Sequence, residues 1–332
     1  MKLLTIVIPA YNVEKYLDEA IAPYEKMIHP ERVEVLIVND GSTDGTLKKA
    51  REYEEKYPEF IKVIDKENGG HGSTINAGIR QATGKYFKVV DGDDWIDEKA
   101  LENLLDMMEN TTVDLIATGF VIVCEDTHET EEIHIDNVEY GKKYQFENIC
   151  SKIDYIRMHS AIFRTQILKD NKVTLDEHCF YVDVEHDLLP IKWIHTVIFC
   201  DELLYRYRIG RPGQSVNMKS MIKNRENHER VIKRILKMVK SDNYPATVVD
   251  YIYRKLENMI GFQYSILIAL GSDKKAKREL IEFDTWLKSA DKKLYKSVKQ
   301  KKILLLRAMN FHNYYAVQFI YHLCGKKEEY VK

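Results

Sequence analysis

Apolar and polar positions in the first hundred residues fall into blocks whose period keeps switching. Residues 3–8 form a β-rich apolar run stopped by Pro9, and residues 13–28 place Val13, Tyr16, Leu17, Ala20 and Ile21 at helical spacing. Residues 33–38 form an apolar strand, broken only by Glu34, that ends at Asn39-Asp40-Gly41. Residues 46–57 predict a helix capped by Thr43 or Asp44, and residues 61–64 a third strand. The glycine-rich stretch 68–72 leads into a helix over 73–82, and residues 86–90 predict a fourth strand that runs directly into Asp91. Uninterrupted apolar strands separated by amphipathic helices predict an α/β fold, with a mostly parallel central sheet covered on both faces.

Beyond Asp97 the pattern loosens. A helix over 98–108 and a strand over 113–123 are followed by a polar turn, 125–132, with 133–138 returning as a hairpin. A mixed segment, 154–215, completes the sheet. From about residue 219 the chain reads as helical: Ile232, Ile235, Leu236 and Val239 share a face, and Pro245 opens a long helix through Ile252, Leu256, Ile260 and Leu267. The expected organisation is an α/β domain over 1–218 and a helical C-terminal region over 219–332.

Composition narrows the possibilities. With 45% hydrophobic, 31% charged and 11% aromatic residues, the 332-residue chain can build a core and does not read as disordered. A formal net charge of -2 gives no reason to expect nucleic acid as a partner. The five cysteines have neither zinc-ligand nor disulfide-framework spacing, which fits reduced cytoplasmic thiols. The first apolar run is too short for a signal peptide, and residues 259–270 fall short of a membrane span. A cytoplasmic location, extending to the inner face of the membrane, is expected.

In parallel sheets ligands bind outside the carboxyl ends of the strands. Tyr11-Asn12 follows the first predicted strand, Asp40-Gly41-Ser42 the second and Asp91-Gly92-Asp93-Asp94 the fourth, so three polar turns meet at one edge. An aspartate cluster after a buried strand suits a hard divalent cation bridging phosphate oxygens. Alternatively, Asp94 or Asp97 caps the next helix. The turn Asn68-Gly69-Gly70-His71-Gly72 sits where helix N–H groups can meet an anion. Within Tyr181-Val182-Asp183-Val184-Glu185-His186-Asp187, a strand places Asp183, Glu185 and Asp187 on one face, whereas a helix pairs Asp183 with Asp187. Either arrangement offers a general base. Tyr205-Arg206-Tyr207-Arg208 reads as an edge strand before the turn 211–215, its arginines suited to phosphate.

In order along the chain, Thr5-Ile6-Val7-Ile8-Pro9-Ala10-Tyr11-Asn12, Val38-Asn39-Asp40-Gly41-Ser42-Thr43-Asp44-Gly45-Thr46, Asn68-Gly69-Gly70, Asn76-Ala77-Gly78-Ile79, Ala82-Thr83-Gly84-Lys85-Tyr86 and Val90-Asp91-Gly92-Asp93-Asp94-Trp95-Ile96 resemble glycosyltransferase family 2, inverting enzymes with the Rossmann-like GT-A fold. The resemblance implies a metal-dependent transfer of one sugar from a nucleotide-sugar, most often a UDP-sugar, to a hydroxyl of a glycan or lipid-linked acceptor in cell-surface polysaccharide synthesis. It makes 1–97 the donor-binding half and 98–218 the acceptor side. Pro9, Tyr11, Asn12, Asp40, Gly70, Asn76, Asp91 and Gly92 become the donor-binding set, and Asp91, Asp93 and Asp94 the ligands of Mn2+ or Mg2+. Asp183 becomes the catalytic base, with Glu185 in competition because the family's Glu-Asp pair is here Val182-Asp183. The stretch 205–215 corresponds to the loop over the diphosphate. Ile75 stands where many relatives carry Arg, leaving His71 and Thr74 to replace its contacts. The Gln-x-x-Arg-Trp motif and membrane spans of processive members are absent from the sequence.

Two other readings stand beside this one. A nucleotidyltransferase shares a related sheet, but its glycine-rich basic signature is missing from Pro9-Ala10-Tyr11-Asn12. A catalytically inactive nucleotide-sugar-binding module is the other. In the helical region, Lys292, Lys293, Lys296, Lys299, Lys301 and Lys302 precede the apolar run 303–306 and the aromatic residues Phe311, Tyr314, Tyr315, Phe319 and Tyr321. That pattern fits a cap on the catalytic domain, peripheral contact with an anionic membrane or a homodimer interface.

Overall fold

Every residue of β1 (Leu4–Ala10) and β2 (Val33–Asp40) is buried, as mostly apolar strands require when helices cover both faces of a sheet. The structure, a computed structural model, describes residues 2–210 and 217–324. The remaining strands are β3 (Ile61–Lys66), β4 (Tyr86–Val89), β5 (Trp95–Ile96), β6 (Leu115–Cys124), β7 (Thr130–Ile133), β8 (Lys143–Gln145), β9 (Ala161–Arg164) and β10 (Thr196–Ile209). They form one sheet in the order β3-β2-β1-β4-β9-β6-β10-β5, with β7 on β6 and β8 on β10. Around it lie α1 (Leu17–Glu25), α2 (Thr46–Lys56), α3 (His71–Gln81), α4 (Glu98–Glu109), α5 (Phe146–Ile149), α6 (Thr165–Asp170) and α7 (Asp183–Leu188).

The parallel order expected from the sequence holds for β3-β2-β1-β4. The rest of the sheet is mixed: β9 runs antiparallel to β4 and β6, while β10 is parallel to β6. The carboxyl ends of β1, β2 and β4 therefore share an edge. A register shift between Cys200 and Leu203, and again between Leu203 and Tyr205, bulges β10 and re-aims the side chains that follow.

Two elements differ from their sequence reading. α1 begins at Leu17 instead of Val13, because the Val13 and Glu14 N–H groups donate to Thr46 Oγ1 (2.9 Å) and Asp44 Oδ2 (3.3 Å) and draw that stretch into a turn. It stops at Glu25, two residues past Pro23, which lacks the N–H that a continuing helix needs. The partner of β6 is β7, which occupies part of the predicted polar turn; its exposed Glu131 and Glu132 blunt an outer strand and disguise it as loop.

Two buried polar features brace the sheet. Glu34 accepts from Thr5 Oγ1 (2.8 Å), Thr83 N (2.8 Å) and Thr83 Oγ1 (3.0 Å), closing the end of the sheet opposite the acidic loop. A Cβ on Gly84 would stand 2.5 Å from the Thr5 nitrogen, so only glycine lets the chain approach there. Lys88, on β4, is fully buried; its Nζ donates to the His159 carbonyl (2.8 Å) and lies 5.2 Å from the centre of the Tyr205 ring. Burial pulls its ammonium down to about 7, against the opposing charges of Asp187 and Asp91.

The chain divides into two compact units, Met1–Arg211 and Pro212–Lys332, a division just before the 218/219 boundary read from sequence and just after β10 ends. The second unit is helical: α8 (Met218–Lys223), α9 (Arg225–Ser241), α10 (Ala246–Ala269), α11 (Lys274–Ala290), α12 (Lys292–Ser297), α13 (Lys301–Ala308) and α14 (Tyr314–Cys324). α10 is its spine and touches α8, α9, α11, α12 and α14. A buried knot crosses it: Tyr264 Oη (2.6 Å) and Arg307 Nε (2.7 Å) both donate to Asp284 Oδ1. No helix among the described residues is long and apolar enough to cross a membrane.

Lys88 yields a signed pH test. Its folded pKa lies below the ordinary 10.5, so between pH 7 and 10 the unfolded chain holds a proton that the folded chain has released. Stability from this group therefore rises with pH, by at most about 1.4 kcal/mol per pH unit. Urea unfolding at pH 7 and pH 9 should show wild type gaining relative to Lys88→Met; parallel pH dependences would refute the assignment.

Candidate active site

The acidic loop hangs from β4 and is fixed by β10. Asp94 is 2% exposed, and both its oxygens are engaged: Tyr205 Oη donates to Oδ2 (2.6 Å) and the Arg208 amide to Oδ1 (2.8 Å). Burial first, then the charges of Asp93 and Asp91, raise its carboxyl well above the usual range. Burial and Asp94 likewise raise the Tyr205 phenol. The Asp91 amide donates to the same Tyr205 oxygen (3.1 Å). Asp94 is thus the loop's internal anchor, with both oxygens bonded inside the protein. The helix-cap alternative falls to Asp97, whose Oδ1 accepts from the Ala100 amide (2.9 Å) at the start of α4.

With Asp94 occupied, Asp91 and Asp93 remain the partly exposed carboxylates of the loop. Asp91 Oδ1 lies 2.8 Å from His71 Nε2. Burial disfavours the imidazolium, but the charge and hydrogen bond of Asp91, with Asp183 and Asp93, outweigh it and hold His71 above its ordinary pKa. Gly92 lets the loop lie against β1: its N–H donates to the Pro9 carbonyl (3.1 Å), and a Cβ there would sit 2.7 Å from that oxygen. Just past Pro9, the Tyr11 ring is 52% exposed, and Asn12, at φ 53°, accepts from the Thr43 amide through Oδ1 (2.8 Å). The three polar turns thereby share one rim.

Asp40 closes the next side. Its Oδ1 accepts from Lys66 Nζ (2.8 Å) and the Gly69 amide (2.9 Å), and its Oδ2 from the Gly70 amide (2.8 Å). The carboxylate thus orders the glycine turn from beneath while 2% exposed. Gly70 adopts φ +80°, and a Cβ on it would stand 3.3 Å from the His178 backbone. The His178 amide donates to the Gly69 carbonyl (2.6 Å), so the glycine turn and the segment before α7 lie in contact.

Asn76 faces that segment. Its Nδ2 donates to the Leu175 carbonyl (2.9 Å) and Glu177 Oε1 (3.3 Å), and its Oδ1 accepts from the Leu175 amide (2.8 Å). With both amide groups so used and the residue 2% exposed, Asn76 is a strut between α3 and the approach to α7. Lys172, His178 and Tyr181 along this approach take positive φ (50°, 50° and 66°), a concentration of left-handed, non-glycine backbone typical of functional loops.

Residues 183–188 form a helix, so the alternatives left open by sequence resolve. Glu185 turns inward, is 0% exposed and accepts from the Asp176 amide (2.7 Å). Its carboxylate therefore faces the protein interior. Asp187 is also buried, accepting from Tyr155 Oη (2.9 Å) and pairing with His186 Nδ1 (2.9 Å). Asp183 alone of the three carboxylates is exposed, and its charge reaches His71, His159 and Tyr207.

Several site neighbours lacked a sequence signal. His159 packs its ring against Tyr207 (4.3 Å between centres) and Tyr205 (4.9 Å), and burial lowers its pKa to about 4. Burial and the nearby carboxylates Asp94, Asp91, Asp183 and Asp93 raise the Tyr207 phenol. The arginines read as phosphate ligands are committed elsewhere: Arg206 donates to Asp97 (2.9 Å), and Arg208 pairs with Glu19 and Glu125 while lying 4.7 Å from the centre of the Trp95 ring. The turn 211–215 expected over a diphosphate lies outside the described residues.

Among the described residues no three His, Cys, Asp or Glu side chains form a ready-made metal cage. Asp91 and Asp93, carboxylates of one loop that are both partly exposed, have the oxygen chemistry a hard divalent cation takes.

Known proteins resemble the chain in both sequence and fold. EpsJ of Bacillus subtilis, described as an uncharacterized glycosyltransferase, is 28% identical over 213 residues, covering 62% of this chain and 61% of EpsJ. The Staphylococcus aureus poly(ribitol-phosphate) beta-N-acetylglucosaminyltransferase TarS is 25% identical over 232 residues, 65% of this chain and 37% of TarS. The chain therefore spans less than two thirds of either relative's length. The crystal structure of TarS 1-349 with UDP-GlcNAc superposes with a TM-score of 0.69 at 20% identity, covering 97% of this chain and 92% of that one. The mannosyltransferase PcManGT of Pyrobaculum calidifontis, solved with GDP-Man and Mn2+, gives 0.54 at 16% identity over 98% and 88%. These likenesses establish a GT-A-like mixed sheet with a helical C-terminal region. Residues 5–171, which contain the rim from Tyr11 through Asp91, match the family described as Glycosyl transferase family 2, and the chain belongs to that family.

Proposed function

We propose that the chain transfers a single sugar, with inversion, from a UDP-sugar to a hydroxyl of a glycan or lipid-linked acceptor, with Mn2+ or Mg2+ held at Asp91 and Asp93. The observation that carries this reading is the position of the one exposed carboxylate of α7, Asp183, whose charge acts on the same His71 that bonds Asp91. A base and a nucleotide-facing carboxylate thus border one space, as a direct displacement needs. The neighbours support a UDP-sugar donor: TarS was solved with UDP-GlcNAc. PcManGT, solved with GDP-Man and Mn2+, supports a nucleotide-sugar and a divalent cation more generally.

In this reading Tyr11 lays its exposed ring beside the base. Asp40, with one carboxylate oxygen accepting a single bond from Gly70, borders the base and holds the glycine turn. When bound, the cation neutralises charge on the departing diphosphate. Asp183 accepts the proton of the acceptor hydroxyl as its oxygen bonds to the anomeric carbon, and the bond from that carbon to the diphosphate oxygen breaks on the opposite face. His71 holds Asp91 in place. Tyr207, backed by the His159 ring, lies near Asp183 and offers an aromatic surface suited to the apolar face of an acceptor sugar.

Calorimetric titration with uridine, guanosine and thymidine diphosphate sugars in Mn2+ should detect binding of at least one, with slow hydrolysis; silence across the panel would overturn the reading. Asp93→Ala should remove the metal-dependent part of the affinity, at least about tenfold. Equal affinity with and without the substitution would move the metal elsewhere. Asp183→Asn should bind donor within about twofold of wild type yet lose transfer by about a hundredfold or more, as loss of a general base predicts. Undiminished transfer would disqualify Asp183.

A further inference from the structure

The second unit carries a surface that donor chemistry does not use. α13 and α14 pack as a helical hairpin: the Phe311 amide donates to the Leu306 carbonyl (2.8 Å), and Asn313 Nδ2 donates to the Leu305 carbonyl (3.1 Å). The hairpin buries Ile303 and Leu306 of α13, Phe311 of the turn, and Tyr314 and Val317 of α14. The Arg307–Asp284 pair at 2.7 Å sets the rotation of α13, and the Tyr314 hydroxyl, donating to the Gly271 carbonyl (2.6 Å), sets that of α14. The consequence is an apolar outer face. Leu304 (46%), Leu305 (49%) and Met309 (53%) are exposed on the first arm, and Phe319 (62%), Ile320 (56%) and Leu323 (65%) on the second. Phe319 and Leu323 are four residues apart and share a helix face. Grouped apolar exposure of this kind marks a surface that meets something.

The charge around it selects the occupant. Residues 292–324 contain Lys292, Lys293, Lys296, Lys299, Lys301, Lys302 and Arg307, and all 52 acidic residues of the chain lie outside this stretch. Arg307 is neutralised by Asp284, and Lys293 pairs with Asp250. Lys292, Lys296, Lys299 and Lys301 are exposed and enter no ion pair among the described residues, and they lead directly into Leu304 and Leu305. A second copy docked symmetrically would set like charge against like. A surface that is anionic outside and apolar beneath matches both properties at once.

We propose that the α13–α14 hairpin docks on an anionic lipid bilayer, its outer apolar side chains entering the headgroup boundary and its lysines meeting lipid phosphates. The proposal does not depend on the catalytic reading. It is tested by sedimenting the full chain with vesicles of phosphatidylcholine alone and of equal parts phosphatidylcholine and phosphatidylglycerol. Binding should favour the mixed vesicles by about tenfold or more and weaken as salt rises. The double substitution Phe319→Ser with Leu323→Ser should weaken binding to mixed vesicles about tenfold, and Lys296→Gln with Lys299→Gln and Lys301→Gln should abolish the preference for them. Both variants should keep the wild-type circular dichroism and melting temperature, since the altered side chains are exposed. Failure of the folded chain to sediment with mixed vesicles would overturn the proposal. So would a concentration-dependent dimer, seen by light scattering, that the Phe319→Ser, Leu323→Ser variant dissolves.

Discussion

Asp94 accepts from the Tyr205 hydroxyl and the Arg208 amide with almost no surface left to water, and the geometry of the acidic loop depends on that pair of bonds. A carboxylate beside two others would be repelled outward if it were ionised and unpaired. Burial and its neighbours' charge push it toward the protonated form, and the two donors hold it inward. The Tyr205 oxygen also takes the Asp91 amide, so one phenol sets the backbone of the first aspartate and the side chain of the last. Tyr205 reaches that position because β10 bulges between Cys200 and Tyr205. The open rim carboxylates, Asp91 and Asp93, are thus positioned by a strand more than a hundred residues away.

The same logic runs down the other wall. Asp40 holds the glycine turn from below, Gly70 lets that turn approach the His178 backbone, and Asn76 ties α3 to Leu175. None of these bonds needs a ligand. They give α7 a fixed point of departure, and the left-handed residues His178 and Tyr181 absorb the turn needed to bring Asp183 round to the rim. Backbone strain held by such a network is pre-organisation: its cost is met in folding rather than at each binding event.

What could be read from the sequence depended on how local its cause was. The strands ending at Ala10, Asp40 and Val89 were legible because uninterrupted apolar runs stop at polar turns, and so was the placing of Tyr11, Asp40 and Asp91 on one edge. Asp93 and Asp94 were not separable, since adjacent aspartates give the same local signal and only Tyr205 and Arg208 distinguish them. Glu185 stayed level with Asp183 until the period was known; a helix sends Glu185 inward, where the Asp176 amide takes its carboxylate. Lys88 within Tyr86-Phe87-Lys88-Val89-Val90 resembles any polar interruption of a strand, and its burial follows from distant partners, the His159 carbonyl and the Tyr205 ring, that the sequence does not place beside it. Arg206 and Arg208 looked like phosphate ligands because the sequence does not show Asp97, Glu19 and Glu125 waiting for them.

The charge balance of the rim links donor to cation in the proposed reaction. Asp91, Asp93 and Asp183 border the space, and the cationic groups beside them are limited in different ways. Arg208 is taken by two glutamates, Lys88 is buried with a pKa near neutrality, and His71 is raised largely by Asp91 itself. A diphosphate entering such a space adds negative charge to negative charge, and the low local dielectric enlarges that repulsion. Either a cation enters with it or the loop must yield. The loop is held by Asp94 and Gly92 against β10 and β1. In the proposed reaction, carboxylates held this way would make donor binding and cation binding a single event, because the loop's own hydrogen bonds keep them from moving away from the anion.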